Sequence, residues 1–534
     1  MQHKSKAMRI FTAFIIMFCL ASFLQHAYAQ QRTVIHIEQA RKADYDVRLG
    51  RDIQRLIGNV IMRQDSTLFY CDSAYLNEVT RHFEAFGNVH IEMSDTLNIY
   101  GDRLKYNSDT RVAEIFDNVK LIDNKTVLET HYLIYNRITE LASYPNHGVI
   151  TNEDNVLKSR KGYYQTNIKE FYFRHDVELI SPDYTAYSDT LVYNNESEIA
   201  WFYGPTVIRG DENTIYLDYG WYDTKKDHAH LYKRGRIVSM DQTITADTIF
   251  YDRSTGYGEG LGRVVITDTT KKMIIEGEIS RMWEKKGLSY VTRKALGISY
   301  EQNDSLFIHA DTLFMLFDDE RKAKSMLAYY RVKMFRDDFQ GKCDSLVYHI
   351  SDSTIRMYKK PVLWSDENQL TADSIHMAVV NNAIDSLVMY NSAFIISKDS
   401  IEGFNQIKGK DMIGYFKNGD LTRVFVNGNA ETIYWVREED SSLIGINLAV
   451  SSTMTIFFED NQIVGITYKQ LPNEVMYPKS ELSIAERTLR GFTWLEDWRP
   501  WKKEDVFIWL PEGYEVPVEE ADTNVPPSRT SGQR

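Results

Sequence analysis

Apolar and polar residues alternate with a period of two along most of this chain. Val89, Ile91 and Met93 point one way, His90, Glu92 and Ser94 the other, and Leu97 and Ile99 resume the pattern. Such alternation predicts β-strands with one dry face and one wet face. Laid out at a period of about 29 residues, two phrases recur. The first runs small residue, Asp, Ser or Thr, Leu or Ile, any residue, Tyr. It reads Ser188-Asp189-Thr190-Leu191-Val192-Tyr193, Ala246-Asp247-Thr248-Ile249-Phe250-Tyr251 and Cys343-Asp344-Ser345-Leu346-Val347-Tyr348, with a variant at Gly101-Asp102-Arg103-Leu104-Lys105-Tyr106. The second is out of phase with it: Gly58-Asn59-Val60, Gly87-Asn88-Val89, Asp117-Asn118-Val119 and Gly262-Arg263-Val264. This phrase reads as a turn followed by a strand, and Pro205 and Pro361 occupy the same slot, where a missing backbone N–H is harmless.

No single period can bury its apolar face alone, but stacked neighbours can. The expectation is an all-β, elongated and twisted jelly-roll or solenoid-like stack of these repeats. Parity places Val60, Val89, Ile91, Leu104, Tyr106, Val119, Leu121, Leu191, Tyr193, Ile249, Tyr251, Leu346 and Tyr348 on the inward face. An inward apolar face lines either a closed core or an open groove, and alternation alone does not separate them.

The beat fades towards the C-terminus. Residues 398–470 read as a meander: Met412 to Phe416, an Asn418-Gly419 hairpin turn, Leu421 to Val426, Thr432 to Val436, Thr453 to Phe458 and Ile463 to Tyr468. Residues 471–515 gather prolines together with Trp494, Trp498, Trp501 and Trp509. A short helix is expected there from Ser480, with Leu482, Ala485 and Leu489 on one face and Gly491 at its end. This segment reads as a cap over the last sheet edge or as a docking element for an outer-membrane partner. Residues 516–534 read as a disordered tail. At the other end, Lys4, Lys6 and Arg9 precede the apolar run Ile10 to Leu24 and the small-residue site Ala27-Tyr28-Ala29, the layout of a cleavable signal over residues 1–29. The repeats then occupy residues 30–397.

Composition narrows the chemistry. Of 534 residues 43% are hydrophobic, 13% aromatic and 26% charged, which suits a folded β protein. The formal charge is −13, or −16 without the three basic residues of the signal, the wrong sign for gripping nucleic acid. An anionic amphiphile would be held by its apolar part. Cys71 and Cys343 are the cysteines outside the signal, share one slot of the repeat, and are expected as free thiols. A carboxylate recurring in every repeat suits a bend better than a catalytic acid, which occurs once or twice. The His228-x-His230 pair lacks a third ligand nearby, so no metal or other cofactor is expected. Familiar hydrolase signatures are absent, and the chain is read as no enzyme.

The stretches Gln54-Arg55-Leu56-Ile57-Gly58-Asn59-Val60, Leu68-Phe69-Tyr70-Cys71-Asp72-Ser73-Ala74-Tyr75 and Phe83-Glu84-Ala85-Phe86-Gly87-Asn88-Val89-His90-Ile91 resemble the OstA-like family related to LptA, in its extended Bacteroidetes form. The looser pattern covers roughly residues 33 to 430. The resemblance implies a periplasmic β-jelly roll whose apolar groove shields the acyl chains of lipopolysaccharide on their way to the outer membrane. It also implies that the protein joins inner- and outer-membrane transport proteins end to end through sheet edges. The alternatives left open are a structural or interaction scaffold of the envelope, an outer-membrane β-barrel, and a polysaccharide-degrading β-helix.

Overall fold

The computed structural model describes residues 34–45, 50–211, 213–300, 305–380, 383–417, 420–438, 440–459, 462–470 and 472–511. The signal segment, the tail from 516 and the Asn418-Gly419 turn lie outside the described residues. The chain forms two compact units, Met1–Lys225 and Lys226–Arg534.

In the first unit, strands of 11 to 12 residues follow one another: Ile53–Gln64, Thr67–Asn77, His82–Glu92, Leu97–Asn107, Val112–Asp123 and Thr126–Asn136. Each pairs antiparallel with the next. The register shifts in mid-strand, between Ile57 and Val60, Phe86 and Val89, and Phe116 and Val119. At those points Gly58, Asn59, Gly87, Asn88, Asp117 and Asn118 have φ between +44° and +84°. Two successive left-handed residues turn a strand sharply without ending it, and Gly, Asn and Asp tolerate that conformation best. The Gly-Asn-Val phrase is therefore a bend inside one long strand, not the turn before a new one.

The bends divide each strand into two halves, so the unit consists of two leaves hinged along a spine. Their inner faces meet. Phe69 on one leaf packs against Phe83 and Tyr106 on the other, with ring centroids 5.2 and 4.8 Å apart. The small residue of the Asp phrase sits in the narrow corner beside the spine: a Cβ on Gly101 would lie 2.4 Å from the Ile115 side chain. Cys71 fills this corner in the first unit, and Ala246, Ala310 and Cys343 fill it in the second. Both cysteines are free and buried. Burial pushes the Cys71 thiol up to about 12 and raises that of Cys343 as well. Between residues 141 and 165 the halves become separate strands, Leu141–Tyr144, Gly148–Asn152, Asn155–Ser159 and Lys161–Gln165. There the Tyr144 ring fills the corner, its hydroxyl 2.7 Å from Ser159 Oγ.

The second unit uses the same device. Strands His228–Ser239, Gln242–Asp252, Tyr257–Asp268, Met273–Trp283, Leu288–Tyr300, Ser305–Phe317, Ala323–Phe335 and Phe339–His349 run antiparallel, bent at residues such as Lys233, Gly262, Arg263, Arg293, Lys294 and Arg331. One apolar core runs from Ile275 to Ile456. In the meander, the expected strands at Leu421 to Val426 and Thr432 to Val436 are the two halves of a single strand, Asp420–Arg437, bent at Gly428 and Asn429.

The expected C-terminal helix is absent. Residues 478–511 form an irregular strap with short 3-10 turns at Lys479–Glu481, Ala485–Arg487, Glu496–Trp498 and Lys503–Phe507. Ser483 and Glu486 do cap one another, Ser483 N–H reaching Glu486 Oε2 at 2.8 Å. The helix stops after one turn because Gln406 takes its next backbone groups: the Leu489 N–H donates to Gln406 Oε1 at 2.8 Å, and Gln406 Nε2 donates to Arg487 O at 2.9 Å.

Candidate functional site: the inner face and its mouth

Opposite the spine, the two leaves of the first unit end in two rows of turns, and between these rows lies a mouth that leads to the inner face. Over the first six long strands that inner face is solid. Val60, Val89, Ile91, Leu104, Tyr106, Val119 and Leu121 are all no more than 2% exposed. Among them pack Phe69, Phe83 and Leu133, equally buried.

The mouth over this stretch is bridged by polar side chains. Gln64, at the end of its strand, donates to Ser108 O at 3.1 Å and accepts from the Tyr106 hydroxyl. Arg137 donates to Gln64 Oε1 at 3.0 Å and to the Tyr106 oxygen at 2.7 Å. Beside them Arg111 pairs with Asp65 at 3.1 Å. Further along, Asp123 accepts from the Tyr164 hydroxyl and from Lys169 Nζ at 2.6 Å. Next, Asn195 donates to Thr126 Oγ1 at 2.9 Å and accepts from Asn152 at 2.7 Å. Except for the Arg137–Tyr106 bond, which lies within one leaf, each pair joins one leaf to the other at the mouth. Buried polar groups need such partners, so the bridges satisfy the strand ends and shut the mouth together. Burial raises the Tyr106 and Tyr164 hydroxyls, keeping both neutral donors.

Past these bridges the first unit has a recess. Its walls include Ile150, Leu157, Phe171, Phe173 and Leu179, and its rim Asn152, Asn155, Tyr184 and Tyr193. Its cavity volume is about 20 Å³, room for about one water molecule. Leu191 behind it is buried, whereas Tyr193 is half-buried, its hydroxyl raised first by burial and then by Glu198. The recess has an apolar floor and amide and hydroxyl groups around it, with no charged side chain among its lining, and an apolar chain would enter only if its walls part.

In the second unit Ile249 and Leu346 are buried and Tyr251 and Tyr348 half-buried. Other inward side chains near the ends of its first strands, Ile244, Ile266, Met273 and Leu306, are half-buried too. His230 lies beside the Tyr232 hydroxyl at 2.9 Å and His228 beside Asp252 at 3.5 Å. Among the described residues no three His, Cys, Asp or Glu side chains gather as metal ligands.

Parity thus finds the inward residues but not the bridging set of Gln64, Asp65, Asp123, Arg137, Lys169, Asn152 and Asn195. The available signal is a polar residue at an inward position at the end of a strand, as at Gln64, Asp123 and Asn152. Nothing in the sequence tells which turn of the other leaf will answer it.

The geometry defines a class: antiparallel β-stacks of two hinged leaves with an apolar interior. Residues 32–189 match the family model described as OstA-like protein, and over that segment the chain is similar to that family. No curated protein matches the chain. Among solved structures it is similar to LptH from Pseudomonas aeruginosa, described as the LptA-homologous periplasmic component of the lipopolysaccharide transport device. That likeness has 11% identity and a TM-score of 0.22, and covers 27% of this chain and 99% of that one.

Proposed function

We propose that this protein holds the acyl chains of lipopolysaccharide during transfer across the periplasm, without catalysis. The observation that supports this most directly is the apolar recess beside Tyr184 and Tyr193, where the first unit's inner face lies under amide and hydroxyl groups at its mouth. The likeness of residues 32–189 to OstA-like proteins supports lipopolysaccharide as the ligand class. Exposing an acyl chain of a dozen methylenes to water costs about 10 kcal/mol, at ~0.8 kcal/mol per methylene, so a carrier must cover it. Successive similar sites along a stack let a chain move but set no direction, and the driving energy would come from an inner-membrane partner. Partners would dock edge to edge: His36–Gln39 and Lys42–Tyr45 pair with Ile53–Gln64 and, among the described residues, with no other strand. The signal layout of residues 1–29 fits export to the periplasm.

A non-catalytic scaffold is the second reading, favoured by the filled interior between residues 53 and 136. Photocrosslinking in cells separates the two. Probes at Tyr184 and Tyr193 should capture lipopolysaccharide, while probes at sealed Tyr106 and at Lys105 on the opposite face should not. A folded, exported protein that yields no adduct at Tyr184 or Tyr193 would establish the scaffold.

A further inference from the structure

The C-terminal strap and the surface beneath it are not used by lipid holding. Strands Val362–Ser365 and Ala393–Lys398 bury side chains on both faces. Leu363, Ala393 and Ile395 belong to the core. Their neighbours Val362, Trp364, Phe394 and Ile396 point the other way and are buried as well. What covers this outer face is the strap. Phe492 stands 5.2 Å from Phe404 and 6.5 Å from Phe394, and Trp494 stands 5.1 Å from Phe404, ring to ring.

Three buried glutamines on alternate strands hold it. Gln406 reads Arg487 and Leu489, as above. Gln369 donates to Thr493 O and accepts from the Leu495 N–H, both at 2.7 Å. Gln340 accepts from Arg499 Nε at 2.7 Å. The contacts step along the strap every six residues, from 487 and 489 to 493 and 495 to 499. The strap adds no strand to the sheet, so its main chain is gripped by side chains alone. Several groups in the contact also lack partners among the described residues: the buried Trp364 Nε1, Trp435 Nε1 and Arg487 Nε. A permanently fused layer would satisfy these groups.

Its far end lies on basic side chains. Lys342 Nζ sits 3.2 Å from the Trp498 ring centroid and 4.8 Å from that of Trp509. Lys333 is 3% exposed, and the His309 ring lies tilted against Phe507, centroids 4.6 Å apart.

We propose that residues 478–511 are a reversible clasp on the outer face of the second unit, docked at alkaline pH and loosened by acid. Docking strips water from Lys333, Lys342 and His309. Burial draws both lysines down to about 8, and Lys333 further disfavours charge on Lys342. Burial also lowers His309, whose Nδ1 faces Ala295 O. The other charges facing this end are Asp505, which favours charge on Lys333, Lys503 over Phe307, Arg499 on Gln340, and Arg331, which is bound to Asp311. The indole faces partly offset the burial of Lys342. All three groups bind protons more weakly when the strap is docked than when it is free. Docking is therefore strongest above the free lysine value of about 10.4, weakens as pH falls from there through about 8, and weakens again as pH falls through the His309 range.

Hydrogen exchange on the full mature chain tests this, after correction for the intrinsic pH dependence of exchange. Protection of the Leu489 and Leu495 amides should fall by about tenfold or more between about pH 9 and about pH 6, while core amides such as Ile115 and Val424 keep theirs. The double variant K333M/K342M should flatten this response. The variant W498A, which leaves the sheet residues untouched, should lower strap protection at pH 9. Strap protection that is the same at both pH values, or that falls only together with the core, would overturn the proposal.

Discussion

Asn88 donates from Nδ2 to the Asp72 carboxylate at 2.9 Å, joining the bend of one strand to the strand before it. Asn118 repeats the bond to Asp102 at 2.7 Å, and Arg263 makes its equivalent to Asp247 at 2.9 Å. In each case the partners are 16 residues apart. Arg331 and Lys359 reach Asp311 and Asp344 in the same manner, both at 3.0 Å. The two phrases that recur out of phase are thus two halves of one contact. In these five cases the Asp serves the side chain at its neighbour's bend, rather than only the backbone of its own.

This arrangement separates backbone strain from side-chain bonding. Gly87 has φ +74°, and an added Cβ would lie 2.4 Å from Asp72 Oδ2. The variant G87A should lower stability by about 1 kcal/mol or more, whereas N88G, which loses one exposed bond but still suits the left-handed backbone at position 88, should cost about 0.5 kcal/mol. Urea denaturation of the mature protein reads both. Equal losses would mean that the bond, not the left-handed backbone, holds the spine.

Cys71 and Cys343 fill corners where a larger side chain would collide, and burial raises both thiols. Neither should react with a thiol reagent at about pH 8 in the native state, and both should react in denaturant. C71A should be nearly neutral, whereas C71L should cost about 1–3 kcal/mol through overpacking. Rapid native labelling at either site would show that the corner opens.

Much of this fold is legible in the sequence, and the parts that are not have a common cause. Inward parity at Leu104, Tyr106, Val119 and Leu121 follows from local alternation. So does the bend at Gly58 and Asn59, although its being a kink within a strand depends on pairing with the strand opposite. The mouth bridges are long-range: Gln64 and Arg137 are 73 residues apart. The strap was misread for the same reason, because Ser480 to Gly491 carries real helix signals that Gln406 overrides from a distant strand. The uninterrupted apolar runs Val362-Leu363-Trp364 and Ala393-Phe394-Ile395-Ile396 do announce a sheet buried on both faces.

Arg437 and Asp399 form a buried pair, with side chains 12% and 5% exposed. Burial alone would raise the Asp399 carboxyl, but Arg437 and the N–H groups of Glu402 and Ile401 outweigh it and hold it below the usual carboxylate range. The contribution of a depressed carboxyl is present above its unfolded value, about 4, and is lost as pH falls through the folded one. R437M should therefore cost about 3 kcal/mol at neutral pH and less in acid, where Asp399 takes up a proton. Denaturation curves at about pH 7 and about pH 3 would show the gap narrowing; a constant gap would mean that Arg437 acts through packing.

Arg137 decides whether the bridges or the aromatic filling keep ligand out of the first strands. Its guanidinium contacts Gln64 Oε1 and the Tyr106 oxygen, and lies 3.8 Å from Asp65. R137A should lower stability by about 1–3 kcal/mol, because it leaves buried acceptors short of a donor; R137K should recover part of this, since both bonds come from Nη1 alone and one ammonium can supply them, while the Nη2 contact to Gln64 O at 3.3 Å is lost. Yet Phe69, Phe83 and Tyr106 still occupy the interior at no more than 1% exposure each. A photoprobe at Tyr106 should therefore stay free of lipopolysaccharide even in R137A. At the recess the Asn195 bonds tie the walls together, so N195A should raise the adduct yield at Tyr193. Adducts at Tyr106 in the Arg137 variant would reverse this assignment and make the polar bridges a gate over an interior able to accept lipid along its length.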